Sequence, residues 1–415
     1  MQKGVLFVHS NFPAQFRDLA SALVAKGVPC AAIGARTAPG LPGVRLSTWS
    51  NVKGSTPGIF PLATRAEADL IRGRAALDAA LALKAEGFDP ELIIGHPGWG
   101  ETVFLDEPFP NTRKILFSEF FYQGRGADID FDDEFIKPSF EMILAGTAKN
   151  AVMSLALTDA DAIVCPTAYQ ASTLPAVFQP LVRLIHEGVD TTAIRPGPAT
   201  PLALPDGRII QPGTPVITHV NRHLEPLRGL HILLRALPRL QAEVPEAQVL
   251  IVGSEDPRGY SGSAPEGRTW KSVCMEGLED RLDLSRIHFL GRLPHADMLA
   301  ALRLSTAHVY YSYPFVLSWS LIEAMASGCY VIGSDTAPVR DAITDGVHGT
   351  LLDFFDVDAL SAALIDACRR PDAFGAQRQA ARAAAVAGFD SAAGRQAWLD
   401  LIDEVLAGQP TVSNG

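Results

Sequence analysis

The sequence predicts an α/β protein built from two doubly wound parallel sheets. Short apolar runs that look like buried strands alternate with helical patterns along most of the chain, as in parallel βαβ units. A length of 415 residues is too great for one ordinary core. A segment from 196 to 215 carries six prolines and is typical of a linker. We therefore expect an N-terminal domain over 1–195 and a C-terminal domain over 210–388.

Twelve apolar runs predict the strands of the two sheets. Those of the first half are 5–8, 30–33, 92–94, 115–117, 162–165 and 182–185, and those of the second are 216–220, 249–252, 287–290, 307–311, 330–334 and 350–352. The alanine-rich runs 75–85 and 380–387 predict helices, because alanine has the highest helix propensity. An apolar stripe that includes Trp398 and Ile402 predicts a further amphipathic helix within 390–410.

Composition limits the function classes. The net charge of −11 argues against bulk attraction to nucleic acid or anionic lipid. Five scattered cysteines without a CxxC pair predict reduced, mostly buried thiols of a cytoplasmic protein. The apolar run at the N-terminus is too short for a signal peptide, and no run is long enough for a membrane-spanning helix. We expect a cytoplasmic protein without a nucleic-acid partner, and a peripheral contact with the inner face of the membrane stays open.

The stretch from 310 to 335 predicts a strand, a loop, a helix and a second strand. Ser318 suits the N-cap of the helix and Gly328 suits the position after its end. A helix start beside a strand end favours phosphate binding. Glu323 would then lie near a bound phosphate. An ordinary βαβ crossover with a solvated glutamate stays open as the alternative.

Two arginines follow the strand at 216–220. Arg222 and Arg228 stand six positions apart, between a strand end and a helix start. A guanidinium group binds phosphate oxygens in pairs and keeps its charge at any relevant pH. These two residues and Glu323 form the strongest constellation in the chain, against the alternative of surface arginines in minor ion pairs.

These residues resemble the donor-binding motif of retaining nucleotide-sugar glycosyltransferases of family four. In that family two glutamates stand eight positions apart; the second holds the ribose, and amides at the helix start hold the diphosphate. Glu323 matches the second glutamate, and Ser318, Trp319 and Ser320 match the amide positions. Phe315 replaces the first glutamate, which helps to read the hydroxyls of the transferred sugar, and Val316 and Ser318 replace loop glycines.

The resemblance implies a GT-B fold, in which two Rossmann-like domains face a cleft. It implies that Arg222 and Arg228 contact the donor diphosphate, with Arg228 in place of the family's lysine. Gly291 and Arg292 would contact the nucleobase. It also implies that no metal or other cofactor is needed and that the last helix, 390–410, crosses back to the N-terminal, acceptor-binding domain.

Three loops of the first half follow predicted strands. Asn11, Phe12 and Ala14 either line the cleft or form a plain turn. In the loop 95–101, His96, Trp99 and Glu101 are candidates to bind a sugar or acceptor, although His96 also suits a structural cap. Glu119 is nearest in position to a histidine that approaches the transferred sugar in many relatives.

The acidic run 128–134 contains an Asp-Ile-Asp triplet at 128–130. This triplet resembles the metal motif of the other large glycosyltransferase fold. It does not closely follow a predicted strand. We interpret it as a solvated or acceptor-facing loop rather than a metal site.

The sequence therefore predicts a retaining glycosyltransferase that moves a hexose from a nucleoside diphosphate sugar, by default a UDP-sugar, to an unidentified glycan, lipid, protein or small metabolite. A nucleotide-sugar epimerase of the same fold and a binding protein that has lost catalysis stay open. A phosphorylase is disfavoured, because it needs a lysine for pyridoxal phosphate and Lys271 is the only lysine of the second half.

Overall fold

The computed structural model describes residues 4–49 and 54–408. The chain divides into two compact units: Met1–Glu187 with Ser391–Gly415, and Gly188–Asp390. The first boundary falls between Glu187 and Gly188. Residues 409 and 410, at the end of the expected last helix, lie outside the described residues.

Within the described residues, the first unit holds a seven-stranded sheet whose strand pairs are all parallel. The spatial order is β3-β2-β1-β4-β5-β6-β7. The strands are β1 (Gly4–Val8), β2 (Cys30–Ala35), β3 (Val44–Trp49), β4 (Pro90–Gly95), β5 (Arg113–Phe117), β6 (Ala162–Cys165) and β7 (Val182–Leu184). Strand β3 was not predicted; it is an edge strand, and its half-exposed side chains mix apolar with polar residues.

Helices cover the first sheet and bury its apolar side chains. They are α1 (Arg17–Ala25), α2 (Thr64–Ala85), α3 (Phe140–Ala148), α4 (Ala151–Leu157), α5 (Ala168–Ser172) and the C-terminal helix Ser391–Leu406. In the C-terminal helix, the Trp398 ring lies 6.2 Å from the Phe16 ring and 6.4 Å from the Phe117 ring. This helix is therefore part of the core of the first unit.

The second unit holds a six-stranded parallel sheet within the described residues, in the order β14-β11-β10-β15-β16-β17. Its elements are β8 (Leu202–Ala203), β9 (Ile209–Ile210), β10 (Val216–His223), α6 (Leu230–Glu243), β11 (Gln248–Ser254), β12 (Arg258–Gly259), β13 (Gly262–Ser263), α7 (Trp270–Met275), β14 (Ile287–Phe289), α8 (His295–Leu304), β15 (Ala307–Tyr310), α9 (Trp319–Ala326), β16 (Val331–Ser334), α10 (Ala337–Arg340), β17 (Thr350–Leu352), α11 (Val357–Arg369) and α12 (Gly375–Gly388). Every strand predicted from the apolar runs is present, which confirms the predicted fold class of two parallel-sheet domains.

None of the helices in the described ranges has the length and apolar character needed to cross a bilayer. The five cysteines are buried free thiols, as predicted.

The proline-rich segment belongs to the second unit and differs from the expected linker. It forms the antiparallel pair β8–β9. Leu204 and Ile210 are buried beside Val216 and Leu250 of the sheet. The prolines suggested an exposed join, but the apolar residues between them anchor the segment to the core.

Two buried histidines lie in the middle of the second sheet. His308 Nδ1 lies 2.9 Å from the Thr218 hydroxyl, and His219 Nδ1 lies 3.1 Å from the Val309 carbonyl oxygen. Burial, helped by His219, lowers the pKa of His308 to about 3. Burial also lowers the pKa of His219 to about 4. Both rings are therefore neutral in the folded protein at pH 5 to 7.

We predict that His308→Gln makes stability less dependent on pH between 7 and 5. As the pH falls below about 6.5, the unfolded chain protonates this histidine and the folded chain does not. The free energy of unfolding then falls, by up to ~1.4 kcal/mol per pH unit for one such group. The measurement is the melting temperature of the wild type and the variant across this range. His348→Gln, in a surface turn, is the control and should keep the wild-type slope; an unchanged slope in His308→Gln would contradict the prediction.

Candidate functional site

The second unit carries a pocket at the carboxyl edge of its sheet. It has a volume of about 330 Å³, and its lining includes Asn221, Arg222, Arg292, Leu293 and Ser320. These residues come from the ends of β10 and β14 and the start of α9. The structure therefore brings three predicted site residues, Arg222, Arg292 and Ser320, to one pocket. Open parallel sheets bind their ligands at this edge.

Arg228 lies in the loop that follows β10 and is only 4% exposed. Its Nη1 donates to the Tyr310 hydroxyl at 3.1 Å, to the Ser312 hydroxyl at 2.8 Å and to the Val316 carbonyl oxygen at 3.2 Å. All three acceptors are neutral oxygens. The guanidinium group is therefore fixed in position, and it joins the loop after β10 to the loop after β15.

The start of α9 is capped by its own serines. The Ser318 amide donates to the Tyr310 hydroxyl at 2.8 Å, and the Ser320 amide donates to the Ser318 hydroxyl at 3.3 Å. Two of the three amide positions that the resemblance assigns to a diphosphate thus have protein partners here. The bond from the Ser320 amide is long, so this amide is the easier one for a ligand to take over. The side chain of Trp319 is 45% exposed.

Glu323 points to a histidine that the sequence did not predict as a site residue. His295 Nε2 donates to Glu323 Oε1 at 2.6 Å. Burial raises the pKa of Glu323, and the hydrogen bond and charge of His295 oppose that rise. His295 is exposed at the start of α8, so the pair is accessible from one side.

The other donor-site candidates lie in loops around this edge. The Phe315 ring is buried, and its centroid lies 5.4 Å from that of Tyr260. Gly291 has a φ of +64°, which favours glycine, and its carbonyl oxygen accepts from the Gly253 amide at 2.9 Å. Arg292 is exposed and pairs with Asp256 at 2.9 Å.

In the first unit, His96 lies in a cluster of aromatic rings after β4. Its ring stacks on Trp99 with centroids 4.3 Å apart, and the His9 ring lies 5.5 Å away. His96 Nδ1 accepts from the Gly98 amide at 3.1 Å, so the neutral ring carries its proton on Nε2. Nε2 lies 3.8 Å from Glu119 Oε2 and is buried without a hydrogen-bond partner among the described residues. His96 is thus both a cap, as the alternative proposed, and a donor turned toward Glu119.

Helix α2 holds the loop 95–101 in place. Asp69 is buried and accepts from Arg65 and Arg72. Arg65 also donates to the Gly98 carbonyl oxygen, and Arg72 donates to that of Trp99 at 2.8 Å. Gly100 has a φ of +92°, and a side-chain carbon there would overlap the Asp69 backbone. This close approach explains why the loop needs glycine at 100.

The three predicted residues of the loop after β1 differ in their exposure and contacts. The Asn11 amide donates to His9 Nδ1 at 2.9 Å, and Asn11 is exposed. Phe12 is fully buried against Phe7, with ring centroids 5.6 Å apart, so its side chain belongs to the core. Ala14 has a φ of +42°, a conformation that favours the glycine usual at this place in the family.

Glu101 is 0% exposed and accepts a hydrogen bond from the Ser10 hydroxyl. Burial raises the pKa of Glu101. Glu101 therefore links the loop after β4, to which it belongs, to the loop after β1.

The acidic run 128–134 is less exposed to solvent than we expected from the sequence. Burial raises the pKa of Asp128 to about 6, and the charge of Lys149 opposes the rise. Asp130 accepts from the Gly126 amide at 2.8 Å. Among the described residues, no group of three histidine, cysteine or acidic side chains is placed to hold a metal ion.

Four residues near these clusters were missed as site candidates: His9, Ser10, Tyr260 and His295. His9 and Ser10 directly follow a predicted strand, so their place in the chain was a usable signal. Burial, helped by His96, lowers the pKa of His9 to about 3. Tyr260 and His295 meet their partners only through tertiary packing.

The fold and these clusters define a class, the GT-B glycosyltransferases. Over 98% of this chain and 100% of the other, the fold matches the sucrose-phosphate synthase from Thermosynechococcus elongatus, with a TM-score of 0.73 and 18% identity. Anabaena HepE, solved in complex with UDP-glucose, matches with a TM-score of 0.66 and 16% identity over 97% of this chain and 99% of its own.

The family models identify the family. A model of the glycosyl transferase family 4 group matches residues 26–194, and a model of the glycosyl transferases group 1 matches residues 207–385. The chain belongs to these family-four, group 1 glycosyltransferases.

Curated relatives match part of the chain. The phosphatidyl-myo-inositol mannosyltransferase of Mycolicibacterium smegmatis is 32% identical over 186 residues, which are 44% of this chain and 41% of the relative. The D-inositol 3-phosphate glycosyltransferase of Mycobacterium ulcerans is 28% identical over 53% of this chain and 44% of its own. The matched region thus spans less than half the length of each of these relatives.

We predict that Gly100→Ala destabilises the protein more than Gly87→Ala. Both glycines have a positive φ, +92° and +85°, so alanine costs about 1 kcal/mol of backbone strain at either position. Only at Gly100 would the new carbon also meet the Asp69 backbone, whereas Gly87 faces open space. We expect a loss of about 2–4 kcal/mol for Gly100→Ala, measured by denaturant unfolding. Equal losses in the two variants would mean that the close approach to α2 does not constrain the loop.

Proposed function

We propose that this protein is a retaining glycosyltransferase that moves a hexose from a nucleoside diphosphate sugar, with UDP-sugar as the default donor, to an unidentified acceptor. The proposal rests above all on one observation. Arg222, Arg292 and Ser320 line one pocket at the carboxyl edge of the second sheet, and the buried Arg228 is fixed in the loop that follows Arg222. Guanidinium groups and the start of a helix bind phosphate oxygens, so this set of groups suits a diphosphate.

In this proposal the arginines stabilise the leaving group. Negative charge grows on the diphosphate as its bond to the sugar carbon breaks. Arg222 is exposed and free to adjust to the ligand, whereas Arg228 is held in position before the ligand arrives. A fixed cation close to the developing charge lowers the barrier without reorganising.

The other predicted donor-site residues would orient the donor. Glu323 would accept hydrogen bonds from the ribose hydroxyls, either exchanging its bond to His295 or sharing it. Arg292 and the backbone at Gly291 would face the nucleobase. The acceptor hydroxyl would form the new bond on the face that the diphosphate leaves, and the departing phosphate would take its proton.

We assign the acceptor to the first unit. His96 Nε2–H is a buried donor turned toward the exposed Glu119, and the pair lies at the carboxyl edge of the first sheet. Both groups can bind a hydroxyl, one as donor and the other as acceptor. The names of the curated relatives include inositol-containing molecules, which are polyhydroxy compounds and suit such a pair. We propose a cytoplasmic location with a peripheral membrane contact as an option.

We predict that one nucleoside diphosphate raises the melting temperature of the wild type and that Arg222→Ala removes most of the shift. A ligand at about 100 times its dissociation constant stabilises the folded state by about 2.7 kcal/mol. Loss of a charged hydrogen bond weakens binding by about 1.5–3 kcal/mol. Thermal melts with UDP, GDP, ADP and their glucose or mannose derivatives test this, together with Glu323→Ala. Arg370→Ala, an exposed arginine at the end of α11, is the control. If no diphosphate shifts the wild type, the proposed function is wrong.

We also predict slow release of free diphosphate from the stabilising donor in the absence of an acceptor. Water can replace the acceptor where the leaving group is activated, and Arg228→Ala should reduce the rate about 100-fold or more. Chromatography of the products is the measurement. A changed sugar on an intact nucleotide would indicate an epimerase, and binding without any release would indicate a protein that has lost catalysis.

A further inference from the structure

A tyrosine on the hairpin β12–β13 faces the two arginines of the proposed donor site. Tyr260 lies at the tip of this hairpin and is 43% exposed. Its hydroxyl lies 3.5 Å from Arg222 Nη1, and the Arg228 guanidinium carbon lies 5.9 Å from its ring centroid. The centroid of the buried Phe315 ring lies 5.4 Å from that of Tyr260. We call this pair of rings, of which Tyr260 is the exposed member, the aromatic platform.

The hairpin is anchored to the segment that carries both arginines. Glu225 is fully buried, and its Oε2 accepts from the Ser261 amide at 2.7 Å. The Ser261 hydroxyl accepts from the Leu227 amide at 3.1 Å. A side-chain carbon at Gly259 would overlap the Glu225 carboxylate, so the hairpin approaches this segment as closely as the backbone allows. The position of Tyr260 relative to Arg222 and Arg228 is therefore fixed by contacts that do not involve a ligand.

The location of the platform follows from the order of groups in a donor. A nucleotide sugar runs from base to diphosphate to sugar. Arg292, assigned to the base, and Arg222, assigned to the diphosphate, both line the pocket. Tyr260 and Phe315 are absent from its lining, and the Tyr260 hydroxyl contacts Arg222 from outside that lining. The group attached to the far phosphate would meet this platform.

We infer that the transferred sugar packs a C–H face against the ring of Tyr260. The Phe315 ring contacts Tyr260 and helps to hold it in place. This inference rests on the proposed function. The C–H groups of a pyranose carry partial positive charge, and the face of an aromatic ring is negative. A carboxylate would instead read individual hydroxyl groups of the sugar, and the Phe315 side chain offers none.

The platform has a consequence for selectivity. A site that binds a hydroxyl through a buried polar partner strongly rejects an analogue lacking it, whereas an apolar surface discriminates weakly. Donors that differ in one hydroxyl should therefore bind with affinities within about a hundredfold of each other.

The test compares a nucleoside diphosphate with its sugar derivative in three proteins. Isothermal titration gives the dissociation constants of UDP and UDP-glucose, and of GDP and GDP-mannose, for the wild type, Tyr260→Ala and Tyr260→Phe. We expect Tyr260→Ala to weaken the sugar nucleotide about tenfold and the diphosphate less than twofold. Tyr260→Phe keeps the ring and should bind both ligands like the wild type. Phe355→Ala, which removes a ring of similar exposure (48%), is the matched control.

Each outcome has one meaning. If Tyr260→Ala weakens diphosphate and sugar nucleotide equally, or neither, the platform does not contact the sugar. If Tyr260→Phe loses as much as Tyr260→Ala, the hydroxyl rather than the ring is responsible, and the inference is again wrong. If the wild type binds none of the UDP, GDP and ADP derivatives of the melting panel, the proposed function fails first, and the inference falls with it.

Discussion

The proposed donor site of the second unit depends on one buried cation, Arg228. A buried charge is costly unless polar groups surround it, and here two hydroxyls and a carbonyl oxygen do so. These partners are neutral, so they solvate the guanidinium group without cancelling its charge. The Tyr310 hydroxyl also accepts from the Ser318 amide, which ties the start of α9 to the same point. A single network therefore fixes both the positive charge and the helix start that a diphosphate would meet.

The first unit also contains a buried charge, here an anion that is held by two cations. Asp69 is a buried anion, and its partners Arg65 and Arg72 also bind backbone carbonyl oxygens of the loop 95–101. Removing one member of such a network leaves a buried group without compensation, which typically costs several kcal/mol. The loop is therefore held rigidly although it contains three glycines. The same loop carries the stacked rings of His96 and Trp99.

The sequence predicted those parts of the structure that follow from local pattern. Strands with continuous apolar runs were found, whereas β3, an edge strand with alternating polar residues, was not. Arg222 and Ser320 were correctly expected near one another, because strand ends and helix starts of a parallel sheet share an edge. The pairing of Glu323 with His295 and of Phe315 with Tyr260 joins residues 28 and 55 positions apart through packing. No periodicity or motif encodes such contacts. The proline-rich segment shows the opposite error, since local composition suggested exposure while Leu204 and Ile210 within it are buried.

Phe315 separates two tasks that a single carboxylate would combine. A glutamate near Arg228 would read sugar hydroxyls, but it would also neutralise part of the charge that the diphosphate requires. With phenylalanine in its place, the field of Arg222 and Arg228 acts on the diphosphate undiminished. Under the proposed function, affinity for the donor would come mainly from the diphosphate, which all nucleotide sugars share, and shape rather than hydrogen bonding would recognise the sugar. A site of this kind keeps the electrostatic part of catalysis and relaxes the choice of sugar, and the Phe315 substitution is therefore compatible with an active enzyme.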